Sequence, residues 1–313
     1  MIPLYLGIDG GGTKTEVLCL SETGETVGTG LSGPTNLTST NTGAASFSLK
    51  EAVRQALEKA SPDSQVVSAV MGLAGMDTQS EYEMAFQPFA EMLKTAFKIE
   101  NFHLVHDSVI ALENGSNNPN AVVLISGTGS ICVGRNDQGD SARSGGMDYL
   151  LTDQGSGYDI GRHVLREAIK SFDGRRPKTM LEQLVCQHFE IENLENIKMQ
   201  IYHPPLSKVE VAELAKVCCE AYLANDSAAR QILEWAQTEM IKLVEAVVHR
   251  LGLEHKPTDL VLSGSIIQLE FMRLPVIARL QAQFSALTPV VPDRPSMYGA
   301  AQLAKRLTLE AKR

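Results

Sequence analysis

The sequence predicts an α/β protein made of two similar halves. Three observations carry this. Strand-like and helix-like segments follow the order β-β-β-α-β-α-β-α through about the first 118 residues. The strand pattern begins again at Ala121. A Gly-Thr pair is followed by a glycine twelve residues on in each half, Gly12-Thr13 before Gly24 and Gly127-Thr128 before Gly139. Such a repeat suits two β-hairpins whose tight turns are stripped of side chains.

Leu4 to Ile8 is an apolar run ending in Asp9 and three glycines, as a buried strand entering a tight turn would be. Thr15 to Leu20 resumes as a strand, and Glu25 to Leu31 gives a third. Ala44 to Lys59 has helical spacing, with Phe47, Val53, Ala56 and Leu57 apolar. Val66 to Met71 is a strand, Glu81 to Phe97 a helix, and Phe102 to Val105 a strand that delivers His106 and Asp107 to a helix beginning at Ser108. In the second half Ala121 to Ile125 and Ile131 to Gly134 are strands around the Ser126–Ser130 turn. Gly155 to Phe172, Lys208 to Ala224 and Asp226 to Leu251 read as helices. Asp259 to Leu262 and Thr288 to Val291 are strands, and a helix from about Ser296 to Lys312 ends the pattern. The stretch from Arg175 to Pro205 is the least regular.

The 313 residues are enough for two cores. With 43% hydrophobic and 21% charged residues the balance is that of a globular protein. A net charge of -9 argues against nucleic acid, because a duplex binder needs a basic face. It leaves phosphate binding open, since a glycine loop and a metal ion can hold phosphate locally. The five cysteines contain no CxxC pair, and their odd number suits reduced thiols in the cytoplasm. No apolar run is long enough to span a bilayer, so no membrane partner is expected.

Asp9-Gly10-Gly11-Gly12-Thr13-Lys14 is the sharpest chemical signal. Consecutive glycines let backbone N–H groups converge on an anion, while Thr13 adds a hydroxyl and Lys14 a cation. Asp9 could hold the waters of a Mg²⁺ ion bridging phosphates. The bland alternative is a plain glycine-rich turn. Gly127-Thr128-Gly129-Ser130 is a second candidate phosphate loop, made credible by the repeat. Gly264-Ser265 follows an apolar strand and would let adenosine approach the backbone, or Ser265 would simply cap a helix. Asp107 stands between strand and helix, where ligands usually meet such sheets, and a phosphoryl-transfer enzyme needs a carboxylate there. An aspartate in that place could equally be the helix cap. Asp153 and Ser156, opening a helix, and Gly146 upstream suit recognition of a polyhydroxyl molecule.

Taken together, Gly7–Thr15 (GIDGGGTKT), GPTN ending at Asn36, GLAGMD (Gly72–Asp77), HDS around Asp107, LISGTGS (Leu124–Ser130), Gly145-Gly146, DQGSGYDIG (Asp153–Gly161), LSGS (Leu262–Ser265) and the late YGAAQLA resemble the N-acetylglucosamine kinase and BadF/BadG/BcrA/BcrD ATPase family. The resemblance spans the whole chain. It implies the actin/hexokinase-like ATPase fold, with two ribonuclease-H-like domains and ATP in the cleft between them. The domains would be 1–118, rejoined by the last helix at about 297–313, and 119–296. It implies an ATP-dependent kinase acting on the 6-hydroxyl of an amino sugar, as a homodimer, with ATP and Mg²⁺. Asp107 would be the base and a sugar contact. Asn36, Gly146, Asp153 and Ser156 would touch the sugar, Asp9–Lys14 and Gly127–Ser130 the phosphates, and Gly264 and Ser265 the adenosine. The sequence departs from the family at Thr152, Met147 and Gln154, where a glycine, an aromatic residue and a glutamate are usual, and this bears on which sugar is bound. The other activity this family implies is an ATPase that drives electron transfer through an iron–sulfur cluster. That cluster needs well-placed thiolates, and Cys132 and Cys218-Cys219 fall within predicted elements.

Overall fold

A computed structural model describes residues 1–37 and 39–311. Lys312, where the last predicted helix ends, lies outside the described residues. The chain divides into two compact units, one of Met1–Asn117 with Pro292–Arg313 and one of Asn118–Val291.

The first unit is built on strands β1 (Ile2–Gly10), β2 (Thr15–Ser21), β3 (Thr26–Ser32), β4 (Ser64–Leu73) and β5 (Phe102–His106). Their order across the sheet is β3-β2-β1-β4-β5. The first three are antiparallel neighbours, and β1, β4 and β5 run parallel. Helix α1 (Thr42–Leu57) follows β3, and Asn41 caps it by accepting from the Ala44 N–H. Its Ala45, Leu49, Ala52, Val53 and Ala56 recur at helical spacing and are all buried. Helix α2 (Gln79–Phe97) joins β4 to β5 and starts with a capping box between Thr78 and Glu81. The core on this side holds Leu6, Ile8, Leu49, Met71 and Phe89, and each such side chain fully removed from water is worth about 1.5–3 kcal/mol. Helix α3 (Asp107–Gly115) leaves β5.

The second unit repeats the plan. Strands β6 (Ala121–Ser126), β7 (Ser130–Arg135) and β8 (Ser141–Gly145) are antiparallel neighbours. After a helical region come β9 (Thr258–Ser263) and β10 (Leu287–Val290), parallel to each other, with β9 parallel to β6. The order β10-β9-β6-β7-β8 is the order of the first sheet, strand for strand, written from the other edge. Gly24 and Gly139 occupy the corresponding turns with φ of 88° and 86°. The glycine repeat therefore marks a duplicated sheet.

Helices α4 (Gly157–Phe172), α5 (Met180–His188), α6 (Ile197–Tyr202), α7 (Lys208–Leu223) and α8 (Ser227–Arg250) fill the stretch between β8 and β9, and α9 (Glu270–Gln283) joins β9 to β10. Val122, Leu124, Ile160, Met240, Val244 and Leu262 lie in the core they enclose. Helix α10 (Ser296–Glu310) belongs to the first unit, where Ala300, Leu303 and Ala304 pack with Tyr5, Val70 and Ile110. Strand β8 and helix α9 were not expected from the sequence. Ser141–Gly145 has one apolar residue, Ala142, and Pro275 interrupts the helical pattern of α9.

Candidate functional site

In the first unit the parallel strands end at one edge, since Asp9 stands beside Gly72 and Leu73 beside His106. That register brings Asp9, the turn after β4 and the start of α3 together at the carboxyl edge of the sheet, where open α/β folds bind ligands. Gly10 belongs to the strand and is buried, and a side chain there would strike Thr35 Oγ1 and Met71. Its role is close packing. The exposed tip of the hairpin is Gly12-Thr13-Lys14, with the Gly11 N–H bonded to the Lys14 carbonyl at 2.9 Å. The Lys14 ammonium lies 2.7 Å from Glu16. The Gly11 carbonyl accepts from the N–H groups of Thr35 and Asn36, both at 3.1 Å, which ties Asn36 to the hairpin.

Asp107 is not the cap of α3. His106 is the cap residue, and Asp107 is the first helical position, with its side chain about a third exposed. His106 reaches Asp107 Oδ1 through Nδ1 at 2.8 Å and Asp77 Oδ1 through Nε2 at 3.3 Å. Burial pushes the Asp9 carboxyl up to about 7, with the like charges of Asp107 and Glu16 adding to the effect and Lys14 opposing it.

In the second unit the turn Gly127-Thr128-Gly129 is locked by the segment that opens α4. The Gly157 N–H donates to the Gly127 carbonyl at 2.7 Å, and the Ser126 hydroxyl donates to the Gly155 carbonyl at 2.9 Å. Ser130 is buried and wholly engaged, its N–H on Asp153 Oδ1 at 3.1 Å and its hydroxyl on the Gln154 carbonyl at 2.8 Å. Asp153 is buried too, with φ +71°. Ser156 is fully buried and caps α4, its hydroxyl accepting from the Asp159 N–H. Asp153, Ser156 and Ser130 thus brace the loop, whereas Thr128 is exposed. Gly146, with φ +73°, follows β8.

Ser265 is exposed and caps nothing, because α9 starts five residues later behind Leu269. Gly264 has φ +100°, and a side chain there would collide with the Ser126 carbonyl. Next to this close approach lies a cavity of about 520 Å³ lined by Gly127, Thr128, Gly157, Ser265, Ile266 and Leu269, among others. Lys208, which no motif in the sequence marks, lies 2.7 Å from Asp148 Oδ1 and 2.8 Å from Asp153 Oδ2.

The cysteines form no cluster. Cys19, Cys132 and Cys218 are buried, and burial pushes the Cys19 thiol up to about 12 and raises the other two. No group of three or more His, Cys, Asp or Glu side chains among the described residues is placed to hold a metal ion.

A duplicated five-stranded sheet with glycine hairpins between its first two strands defines an actin/hexokinase-like ATPase fold. A solved protein of Chromobacterium violaceum superposes with a TM-score of 0.73 at 21% identity, covering 96% of this chain and 98% of its own. The ROK hexokinase of Thermus thermophilus does so at 0.59 and 16%, covering 99% of each. The chain belongs to the BadF/BadG/BcrA/BcrD ATPase family, which matches residues 6–304. The N-acetylmuramic acid/N-acetylglucosamine kinase of Clostridium acetobutylicum is 34% identical over 263 residues, 84% of this chain and 85% of that one. The N-acetyl-D-glucosamine kinase of Dictyostelium discoideum is 29% identical over 276 residues, 85% and 86%.

The residues present suit a magnesium nucleotide. Asp9 is a carboxylate whose burial and acidic neighbours disfavour its charge, and a nearby divalent cation would offset that cost. The cavity beside the Gly127 turn and Ser265 is lined in part by these small residues and by apolar Ile266 and Leu269, as a purine and ribose require.

Proposed function

We propose that this chain is an ATP-dependent sugar kinase that phosphorylates the 6-hydroxyl of an amino sugar, N-acetylglucosamine first, with glucosamine and N-acetylmuramic acid behind it. The named activities of the Clostridium and Dictyostelium relatives support the amino sugar. The observation that carries the mechanism is Asp107, a partly exposed carboxylate at the carboxyl edge of the sheet, beside Asp9 and released from any capping duty.

In this reading Asn36, Asp107, Gly146, Asp153 and Ser156 serve the sugar, the first two directly. Because Asp153 and Ser156 are buried, they act chiefly by fixing the backbone around them. Asp107 accepts the proton of the 6-hydroxyl as that oxygen attacks the γ-phosphorus. The bond from phosphorus to the β–γ bridging oxygen breaks, ADP leaves, and Asp107 returns its proton to solvent. Gly11, Gly12, Thr13 and Lys14, with Gly127, Thr128 and Gly129, hold phosphate oxygens. Gly264 and Ser265 admit the adenosine. Asp9 would hold the water shell of Mg²⁺, which would supply charge neutralisation on the phosphates. The family resemblance supports a homodimer, and reduced thiols support the cytoplasm. No helix among the described residues is long and apolar enough to cross a membrane.

A coupled ADP-release assay over glucose, glucosamine, N-acetylglucosamine and N-acetylmuramic acid tests the substrate. A site built to hydrogen-bond an amide discriminates strongly against analogues lacking it, so N-acetylglucosamine should exceed glucose in kcat/KM by at least about tenfold. Equal turnover of glucose would remove the amino sugar. Steady ATP hydrolysis without phosphorylation of any sugar would remove the kinase.

A further inference from the structure

His106 ends β5, and its ring lies between two carboxylates, Asp77 from the turn after β4 and Asp107 from the first turn of α3. Three groups crowd its Nδ1: the Ser108 hydroxyl at 2.7 Å, Asp107 Oδ1 at 2.8 Å and the Ser108 N–H at 3.1 Å. These contacts cannot all be hydrogen bonds at once. If Nδ1 accepts from the Ser108 N–H, its lone pair faces the Asp107 oxygen at 2.8 Å. A carboxylate can only accept, and the Ser108 hydroxyl can accept as well. The two shortest contacts therefore place a proton on Nδ1, and the longest, to the amide, gives way. Asp77 places a second proton on Nε2 by the same reasoning.

We propose that His106 is a positioning residue for Asp107, holding one carboxylate oxygen through Nδ1 while Asp77 anchors the ring through Nε2, so that the other oxygen is presented to the acceptor hydroxyl. The proposal rests on the reading of Asp107 as the base. Asp107 makes no other side-chain hydrogen bond among the described residues, so without the imidazole nothing fixes the rotation of its carboxyl group. Among the described residues the His106 ring is the one cation paired with that carboxylate, while Asp9, itself flanked by Glu16 and Lys14, is a like charge near it on β1. Burial pulls the ring toward neutrality, but hydrogen bonds to Asp107 and Asp77 and their charges outweigh it and lift the imidazole to about 9. At neutral pH the ring is a doubly donating imidazolium.

The test must separate positioning from capping. Asparagine is itself a favoured N-cap, so His106→Asn keeps a side chain able to cap α3 but cannot bridge Asp77 to Asp107. With sugar and Mg·ATP, His106→Asn should remain folded, with a lower Tm because two carboxylates lose their cation, and keep the parent Kd for ATP while kcat falls about 10- to 100-fold, the scale of a misplaced reacting group. The parent kcat should decline above about pH 9, as the ring loses its proton. Asp77→Asn removes the carboxylate that holds that proton, so its alkaline limb should move to lower pH. A His106→Asn protein with kcat within twofold of the parent overturns the proposal, as does an alkaline limb unmoved in Asp77→Asn. Asp107→Asn is assayed alongside. If it retains near-normal kcat, the base assignment has failed. If it is inactive while His106→Asn is not, only the positioning role has failed.

Discussion

Lys208 Nζ stands 2.8 Å from Asp153 Oδ2, joining the first turn of α7 to the left-handed residue that receives the Ser130 N–H. The contact is an ion pair whose geometry falls short of a hydrogen bond at that oxygen. Asp153 is 3% exposed, so Lys208 is the cation that compensates a charge taken out of water. Burial lowers the Lys208 ammonium, but its hydrogen bond to Asp148 and its pairing with Asp153 outweigh that and raise it above its ordinary value, so it stays charged. Replacing it with methionine should destabilise the protein by roughly 2 kcal/mol in urea unfolding. That is less than the ~3–5 kcal/mol for a fully buried pair, because Lys208 is partly solvated and Ser130 still serves Asp153. Stability within 0.5 kcal/mol of the parent, roughly the scatter of ordinary surface changes, would show that solvent already screens the pair.

Gly129 faces the same carboxylate. A Cβ at this position would lie 3.0 Å from Asp153 Oδ2 and 3.1 Å from Oδ1. Valine would press on the brace of the second phosphate loop. Gly129→Val should lose ATP affinity by at least about tenfold, or about 1.4 kcal/mol, while remaining folded. Calorimetry with ATP, together with circular dichroism, decides it. An unaltered Kd in a folded variant would remove this turn from the nucleotide site.

Asp107→Asn should lower kcat by about 10²–10⁴-fold, the usual contribution of a positioned general base. ATP should bind as before, since none of the groups assigned to the phosphates or the adenosine is altered. Single-turnover measurement of phosphoryl transfer separates this from slow product release, and near-normal transfer would refute the assignment.

Asp226 supplies the pH dependence that is easiest to read. It caps α8 by accepting from Ala228 and Ala229, and it also accepts from the Met180 N–H and the Thr179 hydroxyl at the start of α5. Burial pushes its pKa upward, but these hydrogen bonds outweigh it and hold the carboxyl below its ordinary value. A depressed folded-state value means stability that is present above the unfolded-state value near 4 and is lost as pH falls through the folded-state value. Asp226→Asn keeps a side chain able to cap α8 but removes the charge, so it should destabilise by about 1 kcal/mol at pH 7, the excess of hydrogen bonds to an ionised acceptor over those to a neutral one, and the difference should shrink below pH 4. A constant difference from pH 7 to pH 3 would exclude ionisation as its source.

The sheets were legible because β1, β4, β6 and β9 are nearly continuous apolar runs ended by glycine or serine. Strand β8 was not, since Ser, Arg and Gly surround a single alanine and only pairing with β7 makes it a strand. The glycine turns and Asp107 could be picked out because backbone approach and a strand-end carboxylate leave local traces. Lys208 left none, as its partners lie in a loop far back in the chain. Nor could spacing show that Gly10 packs against Thr35, that α3 begins at Asp107 with His106 at the position before it, or that Ser156 turns its hydroxyl inward. Those facts depend on which neighbour wins a hydrogen bond.

Helix α10 closes over β1 and β4, with Ala301 against Leu18 and Leu20 and the backbone of Met297 against Gly7. A ribosome therefore releases the first sheet long before it makes the helix that covers it. Asn118–Val291 can complete its own unit during synthesis, while β1–β5 wait with one face open to water. The nascent first unit is the part a chaperone would be expected to hold, and a stop codon before residue 292 should yield an aggregating product even though the whole second unit has been translated.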